Sequence, residues 1–270
     1  IYSRTQPYTG RGWCVAERQM SSIVKEPKAL IDMRKLSGHE RGFNAVIKNG
    51  TASRQPPKSP ADFRKALKFG SSDGSLRFSF KSDVEVVAGI YERAFIDEMS
   101  SATVLSFEGC GWGDEEVTTL AAALSYAQEQ GACEKVTTLD LGNNQIRDEG
   151  VSALASALGK GGLPQLQVLR LGGNQIGDVG AAALADAIGK EAVPGLSELS
   201  LAVNSIGDDG AARLAKSITD GSMLSLKALY ISYNHFGQNA ERELKAACQP
   251  YGITGSDFLG AAVSARLFTL

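Results

Sequence analysis

The side chains best suited to bind metals or to act as nucleophiles are few in this sequence and lie far apart. They are Cys14, Cys110, Cys133, Cys248, His39 and His235. None of the short paired spacings of a zinc site occurs, the cysteine density is too low for a disulfide framework, and no glycine-rich phosphate loop is found. We therefore predict buried reduced thiols, a solvated loop histidine at His235, and no metal, cofactor or catalytic residue among them.

Length and composition bound the class of protein. The chain has 270 residues, of which 43% are hydrophobic and 21% charged, so it can bury a substantial core. No apolar run approaches the length of about 18 residues that a membrane span needs, and the first residues contain neither a signal peptide nor a starting methionine. We predict a piece or a processed product of a longer protein, without membrane insertion. We expect it inside the cell, in the cytoplasm. A location in an organelle, after removal of a targeting segment, is the alternative.

Charge is divided unevenly along the chain. Residues 1–100 carry 17 Lys and Arg against 11 Asp and Glu, whereas residues 101–250 carry 10 against 18. The acidic second part disfavours nucleic acid as a partner, and the basic residues of the first part alternate with acids and prolines. We therefore predict protein partners and no nucleic acid.

One short pattern returns four times at a spacing of 30 residues. Its copies are LDLGNNQIRD from Leu139, LRLGGNQIGD from Leu169, LSLAVNSIGD from Leu199 and LYISYNHFGQ from Leu229. Alternation within each copy predicts a short strand with its leucines pointing inward. The asparagine that follows can pair backbone groups at the bend where the strand ends, which predicts a structural ladder. Its members are Asn144, Asn174, Asn204 and Asn234.

A helix is predicted after each of these strands. Asp148, Asp178 and Asp208 stand where a short acceptor side chain can cap the first free amides of that helix. Apolar residues four apart then form one stripe, and a unit of this size cannot bury its apolar side alone, so we predict that the copies stack. A degenerate first copy begins near residue 104 with Cys110 at the asparagine position, and the stretch SDVEVVAGIYERAFIDEM predicts a capping helix before it.

The pattern LxxLxLxxNxI followed by a helix resembles the leucine-rich repeat of the ribonuclease-inhibitor type, which is also found in NOD-like receptors. The resemblance covers about residues 101–253. It implies an α/β solenoid shaped like a horseshoe, with parallel strands on the concave side and helices on the convex side. Such proteins usually bind other proteins, and the family has no catalytic residues to carry over.

In such an array, the side chains between the inward leucines face solvent on the concave side. From these we select a candidate protein-binding surface: Asp140, Arg170, Glu198, Tyr230 and Tyr233. Exposed tyrosines supply contact area at low entropic cost, and a guanidinium can bind a carboxylate through two hydrogen bonds. Two alternatives stay open, namely a plain solvated strand face and, for the tyrosines, a cover formed by the C-terminal tail.

Four parts are predicted along the chain. They are a partial α/β segment over residues 1–50, a linker and helix over 51–82, the leucine-rich repeat domain with its N-terminal capping helix over 83–253, and a C-terminal cap or tail over 254–270. Within the first part, Tyr8, Trp13, Cys14 and Glu17 resemble the Y-x-S-x-x-W-C-x-x-E stretch of TIR domains, whose glutamate serves NAD cleavage in the active members. The serine of that stretch has no counterpart here, which favours an ordinary helix glutamate at Glu17.

Stacking accounts for nearly every patterned residue of the sequence. We therefore predict a non-enzymatic protein-protein interaction module, which serves as a scaffold or as a subunit of a larger assembly and binds through its leucine-rich repeat surface. The alternative is the C-terminal part of a TIR-like NAD-cleaving signalling protein whose repeats act as the sensor.

Overall fold

The structure, a computed structural model, describes residues 19, 54–78, 80, 82–188 and 193–255. Its helices in these ranges are α1 (Pro60–Ser72), α2 (Asp83–Ser101), α3 (Asp114–Glu129), α4 (Asp148–Gly159), α5 (Asp178–Ile188), α6 (Asp208–Thr219) and α7 (Gln238–Cys248). Its strands are β1 (Val104–Ser106), β2 (Thr138–Asp140), β3 (Val168–Arg170), β4 (Glu198–Ser200) and β5 (Ala228–Tyr230). From β1 onward, strands and helices alternate.

The five strands form one parallel sheet in chain order. Equivalent leucines lie opposite each other, so that Leu139 pairs with Leu169 and Leu169 pairs with Leu199. Each strand-helix unit therefore advances the sheet by one strand, and five units form the array. This arrangement confirms the predicted fold class, an α/β leucine-rich repeat solenoid with the strands on one side and the helices on the other.

The apolar core runs through the array between the sheet and the helices. The inward strand residues Leu139, Leu169 and Leu199 are fully buried, and so are Leu154 and Leu184 of the helices that face them. Complete burial of one such side chain stabilises the fold by roughly 1.5–3 kcal/mol. Because these residues fill the space between consecutive units, each unit is stable only beside its neighbours.

Helices α1 and α2 pack together at the N-terminal side of the array. The side chain of Ser59 accepts a hydrogen bond from the Asp62 amide at 3.1 Å, and Pro60 occupies the first turn, which fixes the start of α1. Phe63 of α1 contacts Tyr91 of α2, with ring centroids 4.2 Å apart. The residues of α2 that are buried are Val84, Val87, Ala88, Tyr91, Phe95 and Met99.

Residues 54–59, which the sequence suggested as part of a linker, pack against the first repeat. The indole of Trp112 donates a hydrogen bond to the Arg54 carbonyl oxygen at 2.7 Å. The guanidinium of Arg54 donates to the Ser106 carbonyl oxygen at 2.6 Å and lies 4.5 Å from the ring centroid of Phe107. A buried indole N–H needs an acceptor, and this stretch of backbone supplies it.

The last described residues extend the sheet by one bridge. After a 3-10 turn (Gln249–Tyr251), Thr254 pairs in parallel with Ala228. The predicted N-terminal α/β segment, apart from Gln19, and all but the first two residues of the predicted C-terminal tail lie outside the described residues. Of the helices that the structure describes, none is long and apolar enough to cross a membrane.

Candidate protein-interaction surface

Each ladder asparagine is buried and joins its own repeat to the preceding one. Nδ2 of Asn174 donates to the carbonyl oxygens of Leu171, in the same repeat, and of Leu141, in the preceding repeat, both at 3.0 Å. Its Oδ1 accepts from the Ile146 amide at 3.1 Å. The other three members make equivalent bonds. One side chain thus pairs three backbone groups that the short strands leave free.

The aspartates at the helix starts bind the following helix, so the prediction that they cap their own helix is wrong. Oδ1 of Asp148 accepts from the amides of Gly177 and Gly180, at 2.7 and 3.0 Å, where α5 begins. Asp114 and Asp178 bind the starts of α4 and α6 in the same way. A carboxylate is stabilising at a helix N-terminus, and here the neighbouring repeat provides it.

A glycine at the third position of these helices makes room for the carboxylate. A Cβ atom added at Gly180 would lie 2.7 Å from Oδ1 of Asp148, and one at Gly210 would lie 2.7 Å from Oδ1 of Asp178. Helix α7 has Ala240 at this position, and there Asp208 binds the Gly237 amide alone, at 2.6 Å. The last repeat therefore indicates that a methyl group at this position is incompatible with the second bond.

The asparagine ladder and the row of aspartates, together called the two ladders, account for the repeated polar residues. The remaining candidate binding residues lie on the solvent-facing side of the sheet, which we call the strand face. Here the structure places Arg170 between two of the other predicted binding residues. Its NH1 lies 3.6 Å from Oδ2 of Asp140, and its Nε lies 3.3 Å from Oε1 of Glu198. The guanidinium is half exposed, but a partner's carboxylate would compete with both of these groups for it.

A row with left-handed backbone geometry borders the strand face. Its members are Gly109 (φ 63°), Asn143 (φ 55°), Gly173 (φ 70°), Val203 (φ 57°) and Tyr233 (φ 57°). Glycine and asparagine tolerate this region, whereas a β-branched valine is strained in it. The two C-terminal members therefore occupy a conformation that their residue types disfavour.

The same two residues are among the exposed apolar side chains of the molecule. Val203 is 54% exposed and Tyr233 is 51% exposed, and the Val203 amide donates to the Ser232 carbonyl oxygen at 2.8 Å, which places the two residues on adjacent strand ends. Tyr230 lies three residues before Tyr233 and is half-buried. We call Val203, Tyr230 and Tyr233 the apolar patch. Val203 is missing from the sequence-predicted set. The residues at the same position of the other copies, Asn143 and Gly173, are types that favour a left-handed backbone and could have indicated this conformation.

The two buried cysteines of the described part of the chain are poorly suited to act as nucleophiles. Burial raises the pKa of the Cys133 thiol to about 12 and that of Cys248 to about 11, whereas nucleophilic cysteines have a lowered pKa. Among the described residues, no group of His, Cys, Asp and Glu side chains could hold a metal ion. The TIR-like residues Tyr8, Trp13, Cys14 and Glu17 lie outside this part.

One small cleft lies beside the loops that precede β4 and β5. Its volume is about 180 Å³, and its lining includes Ile188, Val193, Met223 and Leu224. Small-molecule sites usually measure about 300–1,000 Å³, so this cleft is too small for a typical ligand of that class. A second cleft nearby, open to solvent and lined by residues that include Gln167, Ser197 and Tyr251, has a volume of about 510 Å³, which lies within that range.

Comparison with known proteins identifies the repeat in part of the chain. Residues 132–155 and 163–185 match a family model described as a leucine-rich repeat. No curated protein matches the chain. A solved structure of leiomodin-1 actin-binding site 2 is 17% identical over 60% of this chain and 89% of that chain, with a TM-score of 0.45. The family match covers two of the five units, and the asparagine ladder and the parallel one-strand repeats show the same leucine-rich repeat architecture in the units on either side.

Proposed function

We propose that this chain is a non-enzymatic protein-binding module whose contact surface is the strand face, centred on the apolar patch of Val203, Tyr230 and Tyr233. In this role it serves as a scaffold or a subunit within a larger intracellular assembly. The observation that carries the proposal is the coincidence of backbone strain and exposure at Val203 and Tyr233.

Strain at an exposed site does not help the array to stack. A non-glycine residue in the left-handed region costs about 1–2 kcal/mol, and the same position accepts Gly173 or Asn143 in neighbouring repeats. Strained residues persist where the surrounding structure imposes them, and they cluster at binding sites. Adjacent strands are about 4.8 Å apart, so the two side chains form one continuous apolar contact area.

The charged residues beside the patch suit a role in orienting the partner. Asp140, Arg170 and Glu198 form a row of two acids around one base across three strands, and each is partly exposed. Exposed charges at the rim of an interface contribute more to association rate and specificity than to affinity. The apolar patch then supplies most of the binding energy, since tyrosine is common among residues that dominate interfaces.

The proposal is tested by capturing partners with the immobilised protein and measuring their affinities for Tyr233→Asn and Val203→Asn. Asparagine fits the left-handed backbone, so Val203→Asn should raise the free energy of unfolding by about 1 kcal/mol while it weakens binding. Loss of a central tyrosine should cost about 2 kcal/mol or more, which is roughly a 30-fold rise in Kd.

Val179→Asn is the matched control, because Val179 is 66% exposed on helix α5, at the other side of the array. This variant loses the same side chain and should keep wild-type affinity. Partners that bind Tyr233→Asn and Val203→Asn as tightly as the wild type would rule out the strand face as the contact surface.

A further inference from the structure

The junction between the fourth and the last repeat is held differently from the junctions before it. At each earlier junction, an aspartate of one repeat accepts from two amides at the start of the next helix. Asp178, for example, binds the amides of Gly207 and Gly210 at 2.7 and 2.9 Å. Asp208 binds, among the described residues, the Gly237 amide alone, at 2.6 Å. The last junction therefore has one such charge-assisted hydrogen bond where the others have two.

Helix α7 also contributes smaller side chains to the core than the helix before it. In its buried stripe α6 has Leu214 and Ile218, whereas α7 has Leu244 and the smaller Cys248. Ala240 stands where α6 has a glycine, and its methyl group occupies the space that the aspartate of the preceding repeat needs. Burial of apolar area is the main force that holds a repeat to its neighbour, so α7 is held less strongly than α6.

The apolar patch lies across this same junction. Val203 belongs to the fourth repeat, whereas Tyr230 and Tyr233 belong to the last. The two repeats are paired here, since the Leu201 amide donates to the Tyr230 carbonyl oxygen at 2.7 Å and the Val203 amide donates to that of Ser232 at 2.8 Å. The three side chains of the patch are adjacent only while the last repeat is docked, because neither repeat contains all of them.

We propose that the last repeat, residues 228–251, opens from the rest of the array as one unit, and that a partner at the apolar patch binds only its docked form. Each unit of a stack is held by its neighbours alone, so the terminal junction with the fewest bonds opens first. A ligand that binds one of two states shifts the population toward that state. Binding therefore closes this junction. The link to binding rests on the function proposed above, whereas the opening itself does not depend on it.

Two buried thiols allow the opening to be measured in the full chain. Cys248 lies in α7 and Cys133 in the loop between α3 and β2, and each is 2% exposed. N-ethylmaleimide reaches Cys248 when the last repeat opens, whereas Cys133 requires opening of the first repeats. In the native wild type, Cys248 should be labelled at least about 10-fold faster than Cys133, when each rate is divided by that of the same thiol in the unfolded protein.

The variant Ala240→Gly separates the effect of the second bond from ordinary fraying of a terminal repeat. Glycine makes room for a second amide bond to Asp208, so labelling of Cys248 should slow by about threefold or more, although glycine disfavours a helix. Ala246→Gly is the matched control, because it makes the same change on the exposed side of α7 and should speed this labelling by about fivefold. Labelling of Cys133 should stay unchanged in both variants.

The link to binding is tested with a single-domain antibody that binds the native chain and loses its binding in both Val203→Asn and Tyr233→Asn. At a concentration of about 100 times its Kd, this antibody should slow labelling of Cys248 by about 100-fold and leave that of Cys133 unchanged.

Equal normalised rates for the two thiols, or faster labelling of Cys248 in Ala240→Gly, would overturn the opening of the last repeat. Unchanged labelling of Cys248 in the antibody complex would overturn the link to binding. A failure of the proposed function is distinguishable from both, since it appears as partners that keep their affinity for Tyr233→Asn and Val203→Asn and leaves the labelling rates of the free protein as they are.

Discussion

Gly180→Ala should destabilise the protein, although alanine is the better helix former. The added Cβ would lie 2.7 Å from Oδ1 of Asp148, 2.9 Å from Cγ2 of Ile176 and 3.2 Å from the Asp148 Cα. Ile176 is fully buried, and the carboxylate is fixed by two hydrogen bonds, so neither side chain can yield without loss.

The expected size follows from three contributions. Overpacking of a tight site costs about 1–3 kcal/mol, and loss of the bond from the residue 180 amide costs about 1 kcal/mol more. The gain in helix propensity is about 1 kcal/mol at most. The free energy of unfolding should therefore fall by about 2 kcal/mol, which lowers the Tm by roughly 4–8 °C for a chain of this size.

Thermal and denaturant unfolding of Gly180→Ala beside Gly89→Ala gives the measurement. Gly89 lies inside helix α2, and an added Cβ there meets nothing within 4 Å. This control should raise the free energy of unfolding by about 0.5–1 kcal/mol. The two substitutions are chemically identical and should have opposite signs. Equal stabilisation by both would refute the role of glycine in admitting the carboxylate of the preceding repeat.

Two further predictions follow from the ladder and from the buried thiols. Asn174→Ala removes the acceptor of the buried Ile146 amide and should lower the free energy of unfolding by about 1–3 kcal/mol. Cys110 stands at the matching position of the first repeat, and its thiol donates a weak 3.8 Å bond to the Glu108 carbonyl oxygen, so Cys110→Ala should cost less than about 1 kcal/mol. Equal small shifts of the two variants in thermal melts would contradict the ladder. Burial raises the pKa of Cys133 to about 12, so its thiolate fraction at pH 8 is about 1,000-fold below that of an ordinary thiol of pKa 9. N-ethylmaleimide should therefore label Cys133 only after unfolding. Labelling of the native protein at the rate of the unfolded protein, measured by peptide mass spectrometry, would contradict this prediction.

The periodic part of the fold could be predicted because every copy repeats the same pattern of buried and polar positions. The inward leucines and the asparagine that follows each strand are spaced identically in four copies, and a pattern of that kind has one stacked arrangement that buries its apolar side. The strand order and the parallel register follow from the same argument.

Features that depend on the space between repeats could not be predicted in the same way. The sequence cannot tell whether Asp148 caps α4 or α5, because stacking brings the starts of both helices near the same carboxylate. The contact of Arg54 with Ser106 joins residues without any shared period. Val203 shows an intermediate case, since its left-handed conformation is visible only by comparison with Asn143 and Gly173 at the same position.

The two ladders also determine how an array of this kind can change in length. Each interface is closed by an asparagine that reaches back, such as Asn204 to Leu171, and by an aspartate that reaches forward, such as Asp178 to Gly207. A duplicated 30-residue block from Asp148 to Gly177 would contain the Asp148 carboxylate, which binds the following unit, and Asn174, which binds the preceding one. The interfaces on both sides of the inserted block would therefore have all of their bonds. Gene duplication in whole units could therefore lengthen the protein without a separate round of adaptation. The unit from β1 to β2 is 34 residues long and keeps both sets of bonds, so extra residues are accommodated in its longer helix and in the loop that follows.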